Sequence, residues 1–458
     1  MAEKIRSSDD RSLFLPGETS IGHHQIELAC NACHTKSFTD KDGMQLACES
    51  CHLEQLKVAK DDHPKTKFTD PRNVERVALL DARYCVTCHV EHRLDITLGM
   101  GLTMPADYCV VCHQDIAKDR PSHSGMAFDT CASAGCHNFH DNRALYEDFL
   151  VRHLDEAELL AERHAPARPN LLEVAPQIGK YPTEQYPFKR LNSLDADAPL
   201  AKLDGRVVKQ CLDSKHASGG VNCSACHQQG YEGAWNVKPE HDTCKTCHEP
   251  EVASFLHGKH GMRIDIDRLG KALSPMSPSL VNLPMKETAT GLELGCSSCH
   301  NAHSYDIGAA STDGCLTCHG DKHSRAFKSS PHFVAQEQGV EESDWAGLSC
   351  ASCHMPIVDK EYFWGEVTWT FANHNQSENL LPNEKMIRPV CANCHELQYS
   401  LDSLADRKLI ERNFDGKPAA SIRSKELARA RLDLATAARE AAREAAQAQP
   451  IEEKPSQP

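Results

Sequence analysis

Eleven times along this chain a pair of cysteines is followed at once by a histidine, and 22 of the 23 cysteines belong to that pattern. CNACH begins at Cys30, CESCH at Cys48, CVTCH at Cys85 and CVVCH at Cys109. A later group holds CSACH at Cys223, CKTCH at Cys244, CSSCH at Cys296, CLTCH at Cys315, CASCH at Cys350 and CANCH at Cys391. Between the groups lies CASAGCH, which places four residues rather than two between Cys131 and Cys136. Histidine is only 27 of 458 residues. Chance does not put it behind the second cysteine eleven times.

Cys-x-x-Cys-His is the attachment signature of c-type haem. Two thiols form thioethers with the haem vinyl groups, and the adjacent histidine meets the iron from one face. The thioether pairs are then Cys30 and Cys33, Cys48 and Cys51, Cys85 and Cys88, Cys109 and Cys112, Cys131 and Cys136 in the first group. In the second they are Cys223 and Cys226, Cys244 and Cys247, Cys296 and Cys299, Cys315 and Cys318, Cys350 and Cys353, Cys391 and Cys394. The proximal histidines are His34, His52, His89, His113, His137, His227, His248, His300, His319, His354 and His395. Zinc ribbons combine Cys-x-x-Cys pairs two by two and need no histidine after the second cysteine. A disulfide framework needs none either. In CASAGCH the small Ala-Ser-Ala-Gly loop can bulge while both sulfurs reach one porphyrin, so it reads as a fifth working site.

A length of 458 residues corresponds to two or three domains, yet only 6% of residues are aromatic and 40% hydrophobic. A bound cofactor is therefore expected to fill much of the interior. The formal charge of −15 with no dense basic cluster excludes an ordinary nucleic-acid binder. No run of 18 apolar residues is present to span a membrane.

Sixteen histidines remain once the eleven proximal ones are set aside. The distal-ligand candidates are His24, His63, His92, His123, His140, His153, His216, His260, His303, His332 and His374. His92, His140 and His303 each lie three residues after a proximal histidine. That is too close to reach the opposite face of the same haem, so each is expected to serve a neighbour. FLHGKH and FKSSPH place His260 and His332 five residues after a phenylalanine, each ahead of a further motif. Met355 and Met386 are alternative ligands near motifs. Two histidines on iron give a lower potential than histidine with methionine, so a reducing chain is expected.

The motifs divide the chain into an N-terminal segment 1–22, a five-haem module 23–165, a linker 166–206, a six-haem module 207–410 and a C-terminal part 411–458. Residues 144–166 carry a helix-like pattern ending near Pro166. The proline-bearing stretch that follows reads as extended linker. KELARARLDLATAAREAAREAAQAQ forms an alanine-rich, weakly docked helix, with a disordered tail over 450–458. The fold class expected is mainly α with much irregular coil, few or no strands, and porphyrins as the packing material.

On these motifs the chain resembles multihaem cytochromes c. GHHQIELACNACH is similar to class III, cytochrome c3-like proteins, which also use four-residue loops between cysteines. SKHASGGVNCSACH, CSSCHNAHSYD, CLTCHGDKH, FKSSPH, CASCHMP and CANCH resemble octahaem hydroxylamine oxidoreductase-type cytochromes. That second pattern calls for eight sites where residues 210–395 hold six. Cys211, the one cysteine outside the motifs, stands as a remnant of such a site or as an isolated structural thiol.

The function implied is electron relay through covalently bound haem c and its iron, with no catalytic residues, in anaerobic respiration. The partners would be a quinol-linked or other respiratory donor and a terminal reductase or outer-membrane conduit. The alternative is a haem enzyme acting on hydroxylamine, nitrite or sulfur oxyanions at one open iron. No Cys-x-x-Cys-Lys variant is present to mark such an iron. Thioether attachment of this kind belongs to the periplasmic side, whereas the first residues hold no secretory apolar segment. The start of the chain is accordingly expected to be trimmed or misplaced, and any membrane anchor to lie in a segment absent from this sequence.

Overall fold

A computed structural model describes residues 15–59, 63–120, 123–131, 138–140, 145, 147–161, 164, 171–174, 184, 188–228, 234–270, 273–281, 283–301, 303–333, 348–361, 368–376 and 384–448. The described chain is mainly short helices joined by coil. One antiparallel hairpin pairs β1 (Ile357–Glu361) with β2 (Thr368–Ala372), with Ile357 opposite Ala372 and Glu361 opposite Thr368. No described helix is long and apolar enough to cross a membrane.

Many of the helices are short, and several are single motif turns, such as Cys30–Cys33, Cys85–Cys88, Cys223–His227 and Cys350–His354. Side-chain caps set the start of some helices. Asp306 accepts from the Ala309 amide at 3.1 Å and Ser349 from Ser352 at 3.2 Å. Three described helices exceed ten residues, Lys41–Ala59, Ile307–Cys318 and Ser424–Ala448. The first encloses the Cys48 motif.

Side-chain packing is thin for a chain of this size. Eighteen apolar residues are buried among those described, and seven of them are alanines. The main cluster joins Leu145 and Phe149 to Ile387, Leu397 and Leu401. Each of the larger side chains there contributes about 1.5–3 kcal/mol by burial. This cluster bolts the end of the first module onto the eleventh motif.

The helix expected over 144–166 is confined, among the described residues, to Glu147–Arg152. Tertiary pairing takes over beyond it. The Leu160 amide donates to the Cys394 carbonyl at 2.8 Å, His164 donates to Asn393 at 3.0 Å, and Leu159 bridges antiparallel to His395. The part of the linker that is described also packs down. The Leu191 amide donates to Ala217 at 2.9 Å, and Asp197 accepts from the Ser224 amide at 2.9 Å.

The C-terminal helix is docked at one end only. Ser424 and Ala428 are buried, and Lys425 and Arg429 pair with Glu396 and Asp155. Beyond Leu432 its described residues are exposed.

Candidate functional site

The described motifs close on themselves. The amide of the histidine donates to the carbonyl of the first cysteine, at 2.8 Å for His34, His89 and His395 and at 3.0 Å for His113, His300 and His319. This turn presents two sulfurs three residues apart on one face with the imidazole beside them. Every cysteine among the described residues is a free thiol. No three described His, Cys, Asp or Glu side chains converge as a zinc cluster would.

Opposite each described proximal imidazole stands a second one. The ring centroids are 6.5 Å apart for His34 and His92, 6.2 Å for His113 and His63, and 6.2 Å for His89 and His140. In the second module they are 6.1 Å for His227 and His303, 6.1 Å for His248 and His216, and 6.3 Å for His300 and His374. His319 faces His260 at 6.3 Å, His354 faces His323 at 6.1 Å and His395 faces His332 at 6.3 Å. His52 and His23 are closest, at 5.8 Å.

These separations test whether the residues fit a haem iron. A metal–imidazole bond is about 2.0–2.1 Å, and a ring centre lies roughly 1.1 Å beyond its ligating nitrogen. Two imidazoles on opposite sides of one metal therefore have centroids about 6.3 Å apart. Ten pairs cluster around that value, each beside two thiols. The donor set fits.

The second nitrogen of many rings is already engaged. His63 Nδ1 meets the Phe139 carbonyl at 2.6 Å, His92 Nδ1 that of Gly17 at 2.9 Å and His89 Nδ1 that of Gly101 at 3.0 Å. His227, His323 and His374 do the same with Asn236, Ile410 and Ala372 at 2.6, 2.6 and 2.8 Å. A carbonyl only accepts, so Nδ1 carries the proton and Nε2 keeps its lone pair for the partner side. Burial also favours the neutral form of several rings. It lowers His216 and His260 to about 4 and pulls His52, His89 and His332 down as well.

His23 is bonded differently. Its Nδ1 lies 2.7 Å from Glu91 Oε1, and Glu91 accepts from the Ser20 hydroxyl at 2.8 Å and the Ser20 amide at 2.7 Å. Burial raises the Glu91 carboxyl, but the bonds from His23 and Ser20 prevail and hold it at about 2.

Residues 22–114 and 289–362 match the family model of cytochrome c3. These two regions are similar to cytochrome c3. The match, with the cysteine motifs, supports a multihaem c-type electron-transfer cytochrome carrying iron in covalently bound haem. The first cytochrome c3-like region takes in the first four motifs. The second takes in Cys296, Cys315 and Cys350.

Thiols of successive motifs lie beside one another through both regions. Burial, then Glu91 and then Cys51 push Cys33 up to about 11. The Cys48 thiol bonds to Cys85, and Cys88 feels Cys109. In the second module Cys226 feels Cys244, Cys244 bonds to Cys296, Cys299 feels Cys318 and Cys315 bonds to Cys350. Cys353, raised to about 11 by burial first, feels Cys394 of the last motif. Packing agrees: Cys30–Cys33 lies on Lys41–Ala59, Lys41–Ala59 on Cys85–Cys88, and Ile307–Cys318 on both Cys296–Cys299 and Cys350–His354. Gly314 permits one of these approaches, since a Cβ there would sit 3.3 Å from Cys299. Within each module, then, described motifs that are neighbours in sequence are neighbours in space.

Eight distal candidates, His63, His92, His140, His216, His260, His303, His332 and His374, stand opposite proximal rings. The three that follow a motif closely face a motif two places earlier, as His92 does His34. His24 is a correction. Its ring turns to Glu27 at 3.3 Å, and His23 faces His52 instead. The short 3-10 turn His24–Ile26 rotates neighbouring side chains apart. His123 and His153 face no described proximal histidine. His153 instead holds Glu156 at 2.5 Å and packs at a tilt against Phe149, with ring centroids 4.3 Å apart. Cys136 and His137 of the fifth site lie outside the described residues.

His323 was not singled out from the sequence, although CHGDKH sets it four residues after His319, much as CHVEH sets His92 three after His89. Cys211 sits half-buried near Cys223, with its thiol raised by burial.

Proposed function

We propose that this chain relays electrons through eleven covalently bound haems, mostly ligated by two histidines, between a respiratory donor and a terminal reductase or outer-membrane conduit. The observation that carries the reading is the set of ten imidazole pairs at 5.8–6.5 Å, one for every proximal histidine that is described. Bound between such rings, haem supplies one reversibly accepted electron per iron. The residues of the chain hold the imidazoles neutral and oriented, fix each porphyrin through two sulfurs, and set the spacing from one motif to the next. Histidine pairs favour low potentials, which suits anaerobic respiration. Maturation chemistry places the work on the periplasmic side. The net charge of −15 favours partners with basic docking faces.

The same pairing supports relay over hydroxylamine, nitrite or sulfur-oxyanion chemistry, which needs an iron with one face free. Anaerobic reductive titration combined with film voltammetry tests the choice. Relay requires eleven electrons taken up per chain and no catalytic current with nitrite, hydroxylamine or sulfite. A sustained catalytic current with any of the three would reverse it.

A further inference from the structure

We propose that Glu91 sets the potential of the haem attached at Cys48 and Cys51, holding it lower than a neutral acceptor at the same place would. The inference rests on the reading of His52 and His23 as the ligands of that haem. His63, His92, His323 and His374, which stand on the distal side of other pairs, give their Nδ1 protons to neutral backbone carbonyls. His23 gives its proton to a carboxylate at 2.7 Å. Among the paired rings, His248 comes only within 4.0 Å of Glu251, beyond hydrogen-bond reach.

The geometry around Glu91 is built rather than incidental. Oε1 receives both His23 Nδ1 and the Ser20 hydroxyl at 2.8 Å, while Oε2 receives the Ser20 amide at 2.7 Å. Ser20 is buried and precedes His23 by one tight turn, in which the His23 amide bonds back to the Ser20 carbonyl at 2.9 Å. Glu91 itself follows the proximal His89 by two residues, so the turn after the third motif carries the tuning group for the second. The opposite ring, His52, bonds through Nδ1 to the neutral Gln55 side chain at 2.8 Å.

Two effects act in one direction. A carboxylate on the outer nitrogen raises the basicity of the imidazole, and a nearby negative charge favours the more positive oxidised iron. Reduction adds one electron to that iron. No bond breaks, and the proton stays on His23 Nδ1. The midpoint therefore falls.

The test is an EPR-monitored potentiometric titration of the full haem-loaded chain carrying Glu91→Gln, which keeps an acceptor oxygen and removes the charge. One low-spin component should move upward. At its original midpoint the oxidised-to-reduced ratio should fall tenfold, about 59 mV for a one-electron couple, and the other components should stay in place. Ser20→Ala removes the competing hydroxyl and should move the same component downward. Glu27→Gln serves as control, since Glu27 approaches the unpaired His24, and it should move nothing. A Glu91→Gln protein with every midpoint unchanged, or a Glu27→Gln protein showing the same shift, would overturn the assignment. A high-spin component in place of the second-site signal before any substitution would instead overturn the ligand reading beneath it.

Discussion

His332 and His395 face each other with ring centroids 6.3 Å apart although they belong to distant parts of the chain. Tyr399 stacks on His395 at 4.9 Å, and Phe414 meets the edge of His332 at 5.9 Å. Both rings are thus fixed by aromatic neighbours. Replacing His332 with alanine should convert one low-spin iron per chain to high spin and leave the rest low-spin. EPR of the oxidised variant checks this, and retention of the full low-spin signal would remove His332 from its role.

Replacing Cys391 and Cys394 together with serine should cost one haem. Intact-protein mass is the readout, with a loss of one haem and no more. The loss should also lower thermal stability, because the last motif abuts the cluster of Ile387, Leu397 and Leu401.

Leu401 is 1% exposed within that cluster. Leu401→Ala should destabilise the chain by about 2–5 kcal/mol without altering haem content. Denaturant unfolding of the loaded protein measures it. A change below the error of that measurement would mean the cluster does not fasten the two modules.

Gly258 lies where the chain passes His374. A Cβ there would come within 2.7 Å of the His374 carbonyl oxygen and 3.1 Å of Asn375. Gly258→Ala should cost about 1–3 kcal/mol by overpacking and broaden the low-spin signal of the Cys296 haem. Gly291→Ala, where a Cβ meets nothing within 4 Å, should leave the spectrum unchanged.

Asp406 caps the helix Arg407–Glu411. Its carboxyl is held below the usual range first by the Ala419 amide and then by that of Leu409. A depressed carboxyl stabilises the fold above its unfolded value, about 3.9, and loses that effect as pH falls through the lower folded value. Asp406→Asn should therefore show a flatter loss of stability between pH 5 and 3, roughly the window set by that linkage, when unfolding is followed against pH.

Much of the site was legible because its chemistry is local. Two thiols and a histidine within five residues define a turn whatever surrounds them, and the mainly helical, coil-rich fold follows from motifs too closely spaced for separate domains. What escaped depended on contacts between distant segments. Whether His23 or His24 points inward is decided by one short turn and by Glu91, which arrives from the third motif. His323 is placed by the Ile410 carbonyl and Asn413, near the other end of the second module. The expected long helix over 144–166 gave way because its backbone amides found partners at Asn393 and Cys394, which no local periodicity records.

The most direct test of the relay is EPR of the oxidised, fully loaded protein, with mass spectrometry counting the haems. The results expected are a mass of the chain plus eleven haems and a spectrum that is entirely low-spin. A stoichiometric high-spin iron that responds to nitrite or hydroxylamine would contradict histidine-paired wiring and make this chain an enzyme.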